Sequence, residues 1–112
     1  MGKGSYLGEF EQIVLLSVAQ LGERGYGVTV RQEIERRTGR DVTIGAVYAT
    51  LSRLEEKKFA SSYEGEAEAR RGGRARRHFR IEPAGVRALR GSRGMLDAMW
   101  DGLELDERPE SA

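Results

Sequence analysis

Between residues 8 and 21 the chain reads GEFEQIVLLSVAQL, and Phe10, Ile13, Val14, Leu16, Val18 and Leu21 fall densely around a helical wheel. Apolar coverage this thick predicts a helix buried on most of its surface. Gly22, Gly25 and Gly27 then break the pattern, so GERGYG reads as a turn, with Tyr26 packing back onto the core. A narrower stripe follows, with Val30 and Ile34 on one face and Arg31, Glu35 and Arg36 outside. Thr29, with Gln32 three residues on, has the form of a capping box, and Gly39 is a natural stop. The third pattern is the cleanest. In TIGAVYATLSRLEEKK, capped by Thr43, the residues Ile44, Val47, Leu51 and Leu54 recur at i, i+3, i+7 and i+10.

The period then changes from helical to alternating. Phe59, Ser61 and Tyr63 alternate on one predicted strand, and Arg77, Phe79 and Ile81 on a second. The polar connection, residues 65 to 73, should be mobile and project from the body. Pro83 opens a last helix over 83–103, in which Val86, Leu89, Arg93, Leu96, Trp100 and Leu103 are spaced alternately by three and four, a short heptad seam. Gly91 and Gly94 weaken that helix by about 1 kcal/mol each, so it needs a partner to hold it. The acidic tail from 104 to 112 carries no pattern and is expected to be disordered. The predicted architecture is mostly α with a small β-hairpin, in the order helix, helix, helix, strand, strand, helix. Residues 1–82 form one domain, and 83–103 form a dimerisation helix.

At 112 residues the chain suits one domain with a modest core, which small proteins often complete by oligomerising. It has no cysteine and one histidine, which excludes disulfides, thiolate chemistry and a multi-histidine metal cluster. No cofactor is implied. No apolar run approaches a membrane span and no signal-peptide core opens the chain, so a cytoplasmic protein with no membrane role is expected. Charge changes the picture more. The net charge is +1, yet residues 70 to 93 hold nine arginines against Glu82 alone, and residues 94 to 112 hold six acids against Arg108 alone. Such segregation suits a polyanion surface at one end of the molecule.

Three helices followed by a hairpin describe a winged helix-turn-helix, in which the third helix enters the major groove and the hairpin lies along the flanking backbone. The opposite face of the third helix fits that task. Gly45, Ala46, Ala49, Thr50 and Arg53 are mostly small, where a merely solvated face would carry Glu and Lys. The arginines of RRGGRARRHFR would neutralise phosphates, and its glycine pair would let backbone approach the duplex. Alternation places Arg74, Arg76, His78 and Arg80 outward, with Phe79 and Ile81 anchoring the strand.

GAVYATLSRLEEKKF, then SSY, then RGGRARRHFRIEPAG resembles the PadR-type transcriptional regulators, and the likeness extends from about Leu7 to Leu103. The resemblance rests on a Tyr-x-x-Leu-x-Arg-Leu-Glu helix, a Gly-Gly-Arg wing and a proline-led final helix. It implies a cytoplasmic, dimeric winged-helix repressor without enzymatic activity, of the smaller kind with a single C-terminal helix. One departure is Lys58-Phe59, where Gly-Leu or Gly-Ile is usual, which should slightly stiffen the entry to the wing.

The expected DNA-binding residues are Thr43, Gly45, Ala46, Tyr48, Ala49, Thr50 and Arg53 on the helix, and Arg70, Arg71, Gly73, Arg74 and Arg76 on the wing. Tyr48 is either a phosphate donor or a half-buried core residue. Arg53 either reaches the duplex or pairs with Glu55 or Glu56, and Gly45 and Ala46 either line the groove or serve helix packing. His78 is expected to be structural. Phe10, Val14, Val86, Leu89, Leu96, Met99, Trp100 and Leu103 are expected at a homodimer interface. Leu96 and Trp100 are alternatively the floor of a slot for a planar hydrophobic effector, as in some small relatives. The leading function is a sequence-specific repressor on a palindromic operator of double-stranded DNA. The alternative is a winged-helix module for protein or RNA contact. No catalytic constellation is present in the sequence.

Overall fold

The computed structural model describes residues 6–65 and 76–108. Its order is α1 (Glu9–Leu21), a short 3-10 turn (Gly22–Arg24), α2 (Gly27–Thr38), α3 (Ile44–Glu56), β1 (Ala60–Glu64), β2 (Arg77–Ile81) and α4 (Pro83–Trp100). The strands pair antiparallel, with Ala60 opposite Ile81, Ser62 opposite Phe79 and Glu64 opposite Arg77. The sequence's helical and alternating patterns therefore fall on helices and on a hairpin, as expected.

One core holds these elements together. Val14, Leu15 and Val18 of α1 meet Val30 and Ile34 of α2, Val47, Leu51 and Leu54 of α3, and Phe79 of β2, all essentially inaccessible. Each such side chain contributes roughly 1.5–3 kcal/mol of transfer free energy. Val14 is thus a core residue of a single chain and not the interface residue expected. On a helix apolar all round, period alone does not say which face meets the chain's own core. Leu16 shows the converse, for it is 48% exposed, so α1 is less enclosed than its sequence suggests.

The caps follow their residues, with one shift of register. Thr43 Oγ1 accepts from the Ala46 N–H at 3.1 Å, and Gly39 ends α2 at φ +70°, both as expected. Thr29, however, is the third residue of α2 and not its cap. The helix begins at Gly27, and Thr29 Oγ1 reaches back to accept from the Tyr26 N–H at 3.0 Å. At the other end of the domain α4 stops at Trp100, because Asp101 turns extended and Gly102 lies at φ +76°. Leu103 therefore lies beyond the helix and does not close its seam.

Lys58 occupies φ +66°, the left-handed region, between α3 and β1. A side chain there costs about 1–2 kcal/mol. The expected slight stiffening is thus a genuine strain at the wing's entry. It is held by the Lys58 N–H on the Glu55 carbonyl (3.0 Å) and the Phe59 N–H on the Leu54 carbonyl (2.9 Å).

Candidate nucleic-acid interface

α3 offers one face to its neighbours and one to solvent. Gly45, Ala46, Tyr48, Ala49, Ser52 and Arg53 are exposed, opposite the buried Val47, Leu51 and Leu54. Among the described residues nothing lies within 4 Å of where a Cβ on Gly45 would sit, so that glycine serves no helix packing there. Thr50 does not lie on the open face as expected. It is 1% exposed, because it follows Val47 by three residues and precedes Leu54 by four, which puts it on the stripe. Its hydroxyl accepts from Arg53 Nη2 at 3.1 Å, so it positions Arg53 from beneath. Ser52, four residues after Tyr48, holds the outward place assigned to Thr50. Counting that interval along the helix would have found it.

Tyr48 is 43% exposed and lies across the start of α2. A Cβ on Gly27 would come within 2.3 Å of Tyr48 Cζ and 2.5 Å of its hydroxyl oxygen. That hydroxyl therefore sits beside the first turn of α2, the helix end with unsatisfied N–H groups and positive partial charge.

Arg53 pairs with neither Glu55 nor Glu56. Its Nε lies 3.9 Å from Glu11 Oε2, and Lys57 Nζ lies 2.8 Å from the same oxygen. Burial of Glu11 disfavours its charge. Hydrogen bonds from Lys57 and the Gly8 N–H, with the charges of Lys57 and Arg53, outweigh burial and hold the carboxyl below its ordinary range. A depressed carboxyl stabilises the fold above the unfolded carboxylate range, and that stabilisation is lost as pH falls through the folded pKa. Glu55 is engaged by Ser62 Oγ at 2.6 Å and by Arg77 of β2.

On the wing, Arg70, Arg71, Gly73 and Arg74 lie outside the described residues. Arg76 stacks its guanidinium 4.5 Å from the centroid of the Tyr26 ring and donates to the Tyr26 hydroxyl. The face holding His78 and Arg80 is not simply outward, because the turn after α1 packs on it. His78 is half-buried, with Nδ1 2.8 Å from the Glu23 carbonyl oxygen and its ring 5.2 Å from Tyr26 and 5.3 Å from Tyr63. It has the structural surroundings expected of it.

α4 presents several exposed apolar side chains. Met95, Leu96, Met99 and Trp100 of α4 are 54–74% exposed, and Leu103 after it is 50% exposed. Val86 and Leu89 are half-buried, and with Leu16, Leu96 and Trp100 they line a groove of about 580 Å³ between α1 and α4. Phe10 lies elsewhere. It packs on the core with the Arg40 guanidinium 5.3 Å from its ring centroid. Among the described residues no group of three or more His, Cys, Asp or Glu could hold a metal ion, and no helix is long and apolar enough to cross a membrane.

Comparison with known proteins agrees with this geometry. The family model described as "Transcriptional regulator PadR-like family" matches residues 15–91. Among solved structures, a PadR-family transcriptional regulator from Eggerthella lenta is similar at a TM-score of 0.64 and 24% identity, covering 84% of this chain and 81% of that one. A transcriptional regulator from Clostridium thermocellum superposes at 0.66 with 22% identity, over 80% of this chain and 84% of that one. A winged-helix DNA-binding protein from STIV superposes at 0.67 with 17% identity, over 88% and 99%. No curated protein matches the sequence.

Proposed function

Since the chain belongs to the PadR-like family of transcriptional regulators, DNA-binding proteins of the winged-helix type, we propose that it is a cytoplasmic homodimeric repressor of a palindromic operator. In this reading α3 enters the major groove, and the arginine-rich segment lies on the backbone or in the minor groove. The observation that carries it is the open face of α3. Gly45, Ala46, Ala49 and Ser52 present little bulk, and a groove about 12 Å wide admits a helix most deeply where side chains are small. Tyr48 and Arg53 flank that face and would donate to phosphates. Selection of fragments from the host genome tests the reading. A two-fold symmetric sequence, with half-sites about one duplex turn (~34 Å) apart, is expected. Enrichment of RNA over duplex, or of no sequence at all, would instead favour a protein- or RNA-contact module.

The α4 face supports the dimer, and its charges favour one orientation. Arg87, Arg90 and Arg93 lie in the first part of the helix, and Asp97 and Asp101 at and after its end. Parallel pairing would set arginines against arginines. Antiparallel pairing of the seam sets Leu89 against Trp100 and brings Arg90 alongside Asp97 of the partner subunit. Exposed pairs of this kind contribute up to about 1 kcal/mol each. Arg90→Asp should therefore weaken the dimer roughly tenfold through two like-charge contacts, and adding Asp97→Arg should restore it. Sedimentation equilibrium measures both, and a double variant as weak as the single one would reject the orientation. A second reading, a planar apolar effector, has the α1–α4 groove in its favour, since Leu96 and Trp100 both line it. Quenching of Trp100 fluorescence on titration with a planar aromatic dye tests it.

A further inference from the structure

The turn between α1 and α2 touches both elements to which the proposed function gives DNA contacts. Gly25 accepts the Phe79 N–H of β2 at 2.8 Å through its carbonyl. Tyr26 forms an isolated bridge with His78, meets its ring edge-on, and carries the Arg76 guanidinium on its own ring. On the far side of His78 the order continues through Tyr63 to Arg80, whose guanidinium is 4.2 Å from the Tyr63 centroid. Three consecutive rings, one from the turn and one from each strand of the hairpin, thus lie between two guanidinium groups. Gly27, one residue after Tyr26, lies under Tyr48 of α3 so closely that any Cβ would collide with that ring.

We propose that Gly25-Tyr26-Gly27 is a positioning element that sets the wing and the recognition helix relative to each other, Tyr26 acting through Arg76 and His78 and Gly27 acting through Tyr48. Neither residue needs to touch DNA. Cation–ring stacking contributes about 0.5–2 kcal/mol per contact, enough to hold a two-stranded hairpin that is marginal by itself. The hydrogen bond from the Gly65 N–H to the Arg76 carbonyl (2.8 Å) closes the described part of the hairpin just beyond this stack. The described part of the hairpin therefore ends on a base whose attitude Tyr26 fixes. Gly27 does the equivalent for the Tyr48 hydroxyl, because only a residue without a side chain leaves that ring its place.

The proposal rests on the DNA-binding reading, and the test separates the two. Salt-dependent binding of the wild-type protein to a random-sequence duplex is measured first, and its absence would remove the reading itself. If binding is seen, Tyr26→Leu should lower affinity for all duplexes about tenfold. It should also lower the salt slope by about one unit for each phosphate that is no longer neutralised. Tyr26→Phe, which keeps the ring, should recover most of both. Gly27→Ala should reduce affinity three- to tenfold with the melting midpoint nearly unchanged, because the atoms it displaces are the far end of a side chain. In a Tyr48→Phe background the same change should have little further effect. An unchanged salt slope in Tyr26→Leu would reduce the stack to a structural contact. Full additivity of Gly27→Ala and Tyr48→Phe would uncouple Gly27 from α3. Should Tyr26→Leu not fold, the Gly27–Tyr48 cycle alone decides the matter.

Discussion

Ala49→Glu is expected to abolish operator binding while leaving the protein folded. Ala49 is exposed at the centre of the open face, four residues after Gly45 and beside Tyr48. Glutamate is a good helix former, and a surface substitution of this kind changes stability by no more than about 0.5 kcal/mol. The melting midpoint should therefore move by only a few degrees. Against a duplex the same carboxylate adds bulk where the helix must approach closely, and it sets a negative charge among phosphates. One good base contact is worth about 1–3 kcal/mol. In the proposed dimer two subunits double it, so the expected weakening is at least about thirtyfold. Gel-shift titration beside a thermal melt reads both quantities. Retained affinity in a folded variant would mean that α3 does not enter the groove.

How much of this was legible beforehand depended on whether one residue or a neighbour settles the question. Thr43, Gly39 and Pro83 act through their own backbone or side chain, and each stands where its chemistry says it should. The stripe of α3 was equally plain at Val47, Leu51 and Leu54, which are fully buried, whereas Ile44, expected to open it, is 38% exposed at the helix's first residue. Thr50 was misplaced because a small polar residue at a stripe's edge looks like the solvent side. Only the angular position between Val47 and Leu54 shows otherwise. Val14 was misplaced for the opposite reason, being one of too many apolar residues on α1 to rank by period. The partners of Arg53 and Tyr48 were out of reach, because Glu11 and Gly27 are distant in sequence and local spacing points only to near neighbours. Lys58 shows a further limit. Its departure from glycine was visible, but the positive φ that makes the departure costly belongs to the backbone.

The largest effect on stability is expected at Gly85, where two opposing terms can be compared. Replacing a helical glycine by alanine ordinarily stabilises by about 1 kcal/mol through backbone entropy. Gly94 of α4 should behave so, because among the described residues nothing lies within 4 Å of its virtual Cβ. At Gly85 the added Cβ would lie 2.3 Å from the carbonyl oxygen of Phe59 and 3.1 Å from the Ile81 side chain. A backbone oxygen has no rotamer by which to withdraw. The Phe59 carbonyl is moreover engaged by the Glu82 N–H at 2.9 Å, and Lys58 before it is already strained. Overpacking of this kind costs about 1–3 kcal/mol, and more where the obstacle is rigid, so the clash outweighs the gain in helix propensity. Gly85→Ala should lower the melting midpoint by roughly 10 °C, while Gly94→Ala should raise it by a few degrees. The consequence reaches the duplex as well. Gly85 is where the first turn of α4 packs against the Phe59 backbone, and α4 carries the face assigned to the dimer. A folded Gly85→Ala protein at low temperature should therefore dimerise more weakly and bind the operator less tightly with it. A variant that matches wild type in both measurements would show that α4 is not held at this point.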